Sequence, residues 1–180
     1  MRQRRIGSHV LQLEPIREED FETLLSWIDS PEFLLQWAGP VFTYPLDEAQ
    51  LRDHLADEER RRAYRATEPS GRMVGYVELN GLDPRNDSAS VSRVLVGPDD
   101  RGRGVGTAMV RVVLQIGFED VGLHRVDLRV FEFNEAAIAC YERVGFQHEG
   151  RFRDARRFED EYWTLVQMSI LEDEWADSRR

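Results

Sequence analysis

Cysteine is almost missing from this chain of 180 residues: Cys140 stands alone. That excludes a disulfide framework and a cysteine-rich metal site, and it fits a reducing cytoplasm. Long apolar runs are missing too. No stretch is long enough to cross a bilayer, and the basic start MRQRRIGSH is not followed by a signal-like apolar segment, so no membrane role is expected. Positive charge is in deficit, with 24 basic against 34 acidic residues and a net charge of −10, which disfavours direct nucleic-acid binding. Repeats and low-complexity tracts are absent. The length suits one domain over residues 1–180, with a core from about 10 to 171, able to fold without metal or disulfide support.

What is present centres on residues 94–107, VLVGPDDRGRGVGT. An apolar strand, 91–96, leads through a Pro98-Asp99-Asp100 turn into a glycine-rich segment and then a helix. In that helix Val105, Ala108, Met109, Val112, Val113 and Ile116 recur at three- and four-residue intervals as one apolar stripe. Amides at a helix start lack intrahelical partners and lie at the positive end of the dipole. Gly102, Gly104 and Gly106 let a large anion approach the backbone, and Arg101 and Arg103 add guanidinium donors. The pattern reads as a diphosphate cradle, with a flexible turn whose arginines face water as the plainer alternative. A Walker A loop is disfavoured because no Gly-Lys-Ser/Thr ending follows. A Rossmann unit is disfavoured as well. Asp127 does stand on the next strand, but too little chain remains after the cradle for a doubly wound sheet and a substrate domain.

The rest of the chain alternates in type. Strands are expected at 10–13, 63–67, 73–79, 89–96, 126–131, from Phe146 onward and at 162–171. Helices are expected at 15–29, 46–60, from Gly104 to Gly117 or Gly122, and at 134–145 with Asn134 as N-cap and Gly145 as stop. The segment 30–44, with two prolines, a glycine and Phe33, Trp37, Phe42 and Tyr44, reads as an irregular aromatic connection, either a pocket wall or a satellite core. Residues 80–88 and 153–160 read as polar connections, and a charged tail closes the chain. The order predicts an α/β (α+β) domain on one mixed, mostly antiparallel sheet, with a local parallel crossover in its middle.

RGRGVG at 101–106 followed by NEAAIACYERVGF at 134–146 closely resembles the GCN5-related N-acetyltransferase (GNAT) superfamily. Arg101, Gly104 and Gly106 match its acyl-CoA pyrophosphate loop; Asn134, Ala137, Tyr141, Gly145 and Phe146 match its second signature helix. Within the superfamily the chain resembles the RimJ/RimL branch of ribosomal-protein N-terminal acetyltransferases. The resemblance implies acetyl-CoA in a V-shaped opening where the parallel strands 91–96 and 126–131 splay. It implies that Val94, Leu95 and Val96 pair with the pantetheine arm, an added-strand arrangement. Main-chain amides of Arg101, Gly102, Arg103, Gly104, Val105, Gly106 and Thr107 then hold the pyrophosphate, with Asn134, Ala137 and Tyr141 along the pantetheine.

By the same resemblance Tyr141 is the general acid for the departing sulfur, and strand amides polarise the thioester carbonyl. On periodicity alone Tyr141 is a core residue, and Asn134 is only a cap. Cys140 has no base firmly placed to activate it. The attacking amine must be neutral. Glu78 is the first candidate for general base because it interrupts an apolar strand near the opening; a solvent-facing position is its plainer explanation. Asp127, Glu132 or a water relay are the fallbacks, since strand 89–96 lacks the glutamate some relatives use. The expected reaction is direct acetyl transfer, without metal, to a primary amine on a protein N-terminus or a small molecule. The alternative is an inactive acyl-CoA-sensing or protein-binding module. Segments 30–44, 80–88 and 151–162 are expected to border the acceptor, and a homodimer is compatible with the exposed elements.

Overall fold

The computed structural model describes residues 4–6 and 9–177; the basic positions 1–3, residues 7–8 and the end of the charged tail lie outside the described residues. Eight strands form one sheet: β1 Arg4–Ile6, β2 His9–Pro15, β3 Arg61–Thr67, β4 Met73–Asp83, β5 Ser88–Val96, β6 Arg125–Phe131, β7 Gln147–Phe158 and β8 Glu161–Leu171. Their spatial order is β1-β2-β3-β4-β5-β6-β8-β7, with β5 and β6 the parallel pair. Helices α1 Phe21–Ser26, α2 Pro31–Ala38 and α3 Glu48–Leu55 cover one face. Helices α4 Val105–Gln115 and α5 Glu135–Val144 cover the other, and α6 Glu172–Asp177 follows the last strand.

This layering explains the burial of β4. Val77 and Leu79 enter the core under α4, whereas Tyr76 enters the core under α1, α2 and α3. A strand covered on both faces buries every position, and Met73 through Leu79 are all buried. Gly75 permits the closest approach of α4: a Cβ there would lie 2.9 Å from both Leu95 O and Met109 Sδ.

Several elements differ from expectation for local reasons. The helix expected at 15–29 shrinks to α1, because Pro15 pairs with Tyr64 and the Ile16 amide donates to Ala63 O, committing that backbone to the sheet. The 30–44 connection contains a helix. Pro31 occupies its first turn, where a missing N–H costs nothing, and Ser30 Oγ accepts from Phe33 N at 3.2 Å. Asp47 caps α3, accepting from Gln50 N at 2.9 Å, but the helix expected to reach residue 60 ends at Leu55. The polar connection 80–88 is mostly strand, since β4 runs to Asp83 and β5 starts at Ser88. Likewise β7 continues through Phe158, with its register broken between Phe152 and Arg156.

Candidate active site

The parallel pair is short. β5 and β6 are in register only at Ser88–Arg125, Ala89–Val126 and Ser90–Asp127. Beyond that point β6 stays paired to β8 as far as Phe131, and β5 stays paired to β4 as far as Val96. The two strands therefore part toward the C-terminal end of β5, leaving one edge of Val91–Val96 without a ladder partner.

A bulge in β5 accompanies the split. Tyr76 pairs with Leu95 and Glu78 with Ser92, so two steps along β4 meet three along β5. Arg93 carries the extra residue at φ 51, a conformation costly for a side-chain-bearing residue. The bulge inverts the strand's facing: Val91 packs in the α4-side core and Leu95 in the opposite one, although both are odd positions. Surrounding contacts hold it there. Trp37 Nε1 donates to Arg93 O at 2.9 Å, and the Arg93 guanidinium donates to Glu78 at 2.7 Å.

A cavity of about 490 Å³ occupies the split. Val94, Leu95, Val96, Arg101, Gly102, Gly104, Val105, Gly106, Thr107, Asn134, Ala137 and Tyr141 all line it. Gly104, the N-cap of α4, lies at φ 81, and the Ala108 amide is the one that returns to its carbonyl. The Val105, Gly106 and Thr107 amides thus stand at a helix start that faces the cavity. A Cβ on Gly106 would sit 3.4 Å from Val96 Cγ2 and narrow the gap between α4 and β5. This donor set fits the linked phosphates of an acyl-CoA. Arg101 also borders the cavity, its guanidinium 5.3 Å from the Phe33 ring centroid and its Nε bonded to Val96 O.

Arg103 is a correction. It does not line the cavity, because its guanidinium donates to Asp100 at 2.9 Å. Asp100 is 2% exposed and also receives a bidentate grip from Arg72 at 2.7 and 2.9 Å. The Arg72 hydrogen bonds hold its carboxyl below the usual carboxylate range. Asp100 therefore ties the glycine-rich loop to the start of β4.

Tyr141 is buried at the wall of this cavity, and its hydroxyl finds no hydrogen-bond partner among the described residues. Burial pushes its phenol above the ordinary range. Asn134 caps α5, with Oδ1 accepting from Ala137 N at 3.2 Å, while also bordering the cavity. Cys140 lies 3.3 Å from Thr107 Oγ1, and burial pushes its thiol up, away from a nucleophilic thiolate.

Residues 11–147 match the model of the acetyltransferase (GNAT) domain. The chain belongs to the GNAT family. It is an acetyl-CoA-dependent N-acetyltransferase, with acetyl-CoA as the acyl-donor substrate. Spermidine N(1)-acetyltransferase of Escherichia coli K12 is 24% identical over 170 residues, which cover 94% of this chain and 90% of that protein. YdaF of Bacillus subtilis, a putative ribosomal N-acetyltransferase, is 32% identical over 109 residues, 61% of this chain and 59% of that one. The crystal structure of Vibrio cholerae spermidine N-acetyltransferase in complex with CoA and spermine shares the fold. Its TM-score is 0.83 at 20% identity, over 92% of this chain and 98% of that chain. The narrower ribosomal-protein resemblance is thus carried by a partial match, while a spermidine acetyltransferase matches nearly the whole chain.

The expectation that Glu78 is the general base is corrected by its surroundings. Glu78 borders neither the 490 Å³ cavity nor its neighbour, and it is 0% exposed. Its oxygens meet His54 Nε2 at 3.1 Å, Tyr76 Oη at 2.6 Å, Arg93 at 2.7 Å and Arg61 Nε at 3.3 Å. Burial alone would raise its carboxyl, but the His54 hydrogen bond and the Arg93 charge outweigh that and hold it below the usual range. A carboxylate so occupied anchors the bulge rather than taking a proton. Glu132 is half-buried and paired with Arg151; Asp127 accepts from Ser90 Oγ.

A second cavity, about 380 Å³, adjoins the first through Gln36, Trp37, Val91, Ser92, Arg93, Arg129 and Phe131. It lies beneath the end of α2 and borders Asp127 and Arg156. Of the expected acceptor segments, 30–44 borders this cavity and 151–162 contributes Arg156. Loop 80–88 contributes nothing, since it sits at the closed end of the split, where Ser88 pairs with Arg125. Sequence reasoning missed Trp37 as the clamp on the bulge, and Arg93, Arg129 and Arg156 as cavity residues. The one available signal was Arg93, a charge inside the apolar run that ends in VLV.

Proposed function

We propose that this GNAT domain transfers acetyl directly to the primary amine of a small molecule, with donor and acceptor entering from the two cavities that meet at the β5–β6 split. The carrying observation is that junction, bordered by the unpaired edge of β5 on the donor side and by α2 on the other. Acetyl-CoA supplies the activated thioester. The amides of Gly102 and of Gly104 to Thr107 and the Arg101 side chain hold its phosphates, and Val94, Leu95 and Val96 offer strand hydrogen bonds to its amide-bearing arm. Asn134 and Ala137 border that arm. Tyr141, kept protonated by burial, gives its proton to the leaving sulfur.

No single carboxylate carries the base role in this scheme. Asp100, the carboxylate bordering the donor cavity, is held by Arg72 and Arg103. The acceptor sheds its proton to water on entry, helped by Arg129 at the junction, since a nearby cation disfavours an ammonium. A small amine is preferred over a protein N-terminus because the spermidine acetyltransferase match spans 94% of the chain, against 61% for the putative ribosomal one.

Labelled acetyl-CoA offered with small amines and N-terminal peptides tests the proposal by mass spectrometry and CoA release. The chain contains no lysine, so lysine self-acetylation cannot obscure the product. Acetylation of small amines is expected; absence of acetyl-CoA binding, or transfer confined to peptides, would overturn it.

A further inference from the structure

The second cavity has the wrong charge for a polycation. Arg93, Arg129 and Arg156 border it, against the single carboxylate of Asp127. Asp127 is already occupied by the Ser90 hydroxyl and lies 3.7 Å from Arg125, outside the cavity lining. Glu78 compensates Arg93, yet Arg93 Nε remains buried with no hydrogen-bond partner. Arg129 rests on the Phe152 ring and donates through Nε to Gln167. Arg156 donates one amino group to the carbonyl of Ala155. Neither of these last two has a carboxylate partner among the described residues.

Two uncompensated guanidiniums in a partly enclosed space raise the local potential and oppose any ligand carrying several ammonium groups. A guanidinium fork instead matches the paired oxygens of a carboxylate or phosphate. The volume of about 380 Å³ suits a small molecule. We infer that the acceptor of this chain is an amine that also bears a carboxylate or phosphate, its anion held by Arg129 and Arg156 while its amine reaches the junction beside Arg93. The inference rests on the second cavity being the acceptor site. It separates this chain from relatives named for spermidine: the fold is shared, and the charge of the pocket is set by this chain's own residues. The same cations serve two ends, anchoring the anion and favouring the neutral, reactive amine.

Matched acceptors test it: 2-aminoethyl phosphate against ethanolamine, 4-aminobutyrate against its methyl ester, and spermidine as the polycation. The anionic member of at least one pair is expected to exceed its partner about tenfold or more in kcat/KM, as a charge-assisted contact implies. Which pair responds distinguishes phosphate from carboxylate. Replacing Arg156→Glu should abolish or invert that preference while acetyl-CoA affinity, measured by titration calorimetry, stays the same; an inverted preference cannot come from misfolding. Spermidine as the best acceptor, equal rates within both pairs, or an unchanged preference in the Glu variant would overturn the inference and leave the transferase reading standing. Acetyl-CoA binding without transfer to any acceptor would overturn both.

Discussion

The two cavities that meet at the β5–β6 split are built in opposite ways. The donor side is mostly main chain and contiguous: the end of β5, the loop 101–104 and the first turn of α4 follow one another within 94–107. The second cavity, the proposed acceptor side, is mostly side chain and dispersed, with Trp37 from α2, Arg93 from a bulge, Asp127 and Arg129 from β6 and Arg156 from β7. A backbone cradle serves a constant ligand, because amides and a helix dipole are available from almost any sequence that makes the turn. A side-chain pocket can change its charge one residue at a time without disturbing the fold. On the proposed assignment, the difference separates what makes the chain a GNAT enzyme from what would select its acceptor.

Glu78 underlies both sides by fixing the bulge, and removing its charge should have the largest effect. Glu78→Gln leaves Arg93 and Arg61 uncompensated in the interior, a loss of about 3–5 kcal/mol. Because its folded carboxyl is depressed, that stabilisation is complete at neutral pH and is lost only as pH falls below the carboxylate range. The thermal midpoint should drop by about 6–20 °C at pH 7, at about 2–4 °C per kcal/mol, and the gap from wild type should narrow below about pH 4. A general base would instead lose turnover at unchanged midpoint.

Tyr141→Phe comes next. Turnover should fall about 100-fold or more, with acetyl-CoA affinity within about twofold; equal turnover would remove the tyrosine from the acid role. The raised phenol also means that alkaline pH does not deprotonate the acid near its ordinary value of about 10. The rate of thiol release should accordingly climb with pH through the amine's titration and show no falling limb below about pH 10.

Smaller effects separate the cradle from its support. Gly104→Val forces a β-branched residue to φ 81, costing about 1–3 kcal/mol, and should weaken acetyl-CoA binding about tenfold by calorimetry. Arg101→Ala should weaken it several-fold, on the order of one surface phosphate contact. Arg103→Ala should change it less than about twofold, since Arg72 still holds Asp100. Equal losses for Arg101 and Arg103 would mean that the two arginines share one role.

The donor side was legible because it rests on local rules. Glycines next to a helical apolar stripe, and Asn134 and Gly145 bracketing α5, announce themselves at spacings the backbone dictates. The helix α2 was missed because Pro31 reads as a breaker until its place in the first turn is known, although Ser30 before it was a usable sign. Glu78 was misassigned for a different reason. A charge in an apolar strand marks either a reactive group or a buried ion pair, and its partners come from α3, β3 and β5.

By itself, then, the sequence determined the mixed sheet, the glycine-rich helix entrance and the tyrosine helix, because each follows from residue spacing within a short segment. Only the tertiary structure decided which charges line the second cavity. A one-residue bulge in β5 turns Arg93 inward and flips the facing of every later residue in that strand. The side chains gathered around it come from parts of the chain as distant as Trp37 and Arg156, and no local pattern encodes that meeting.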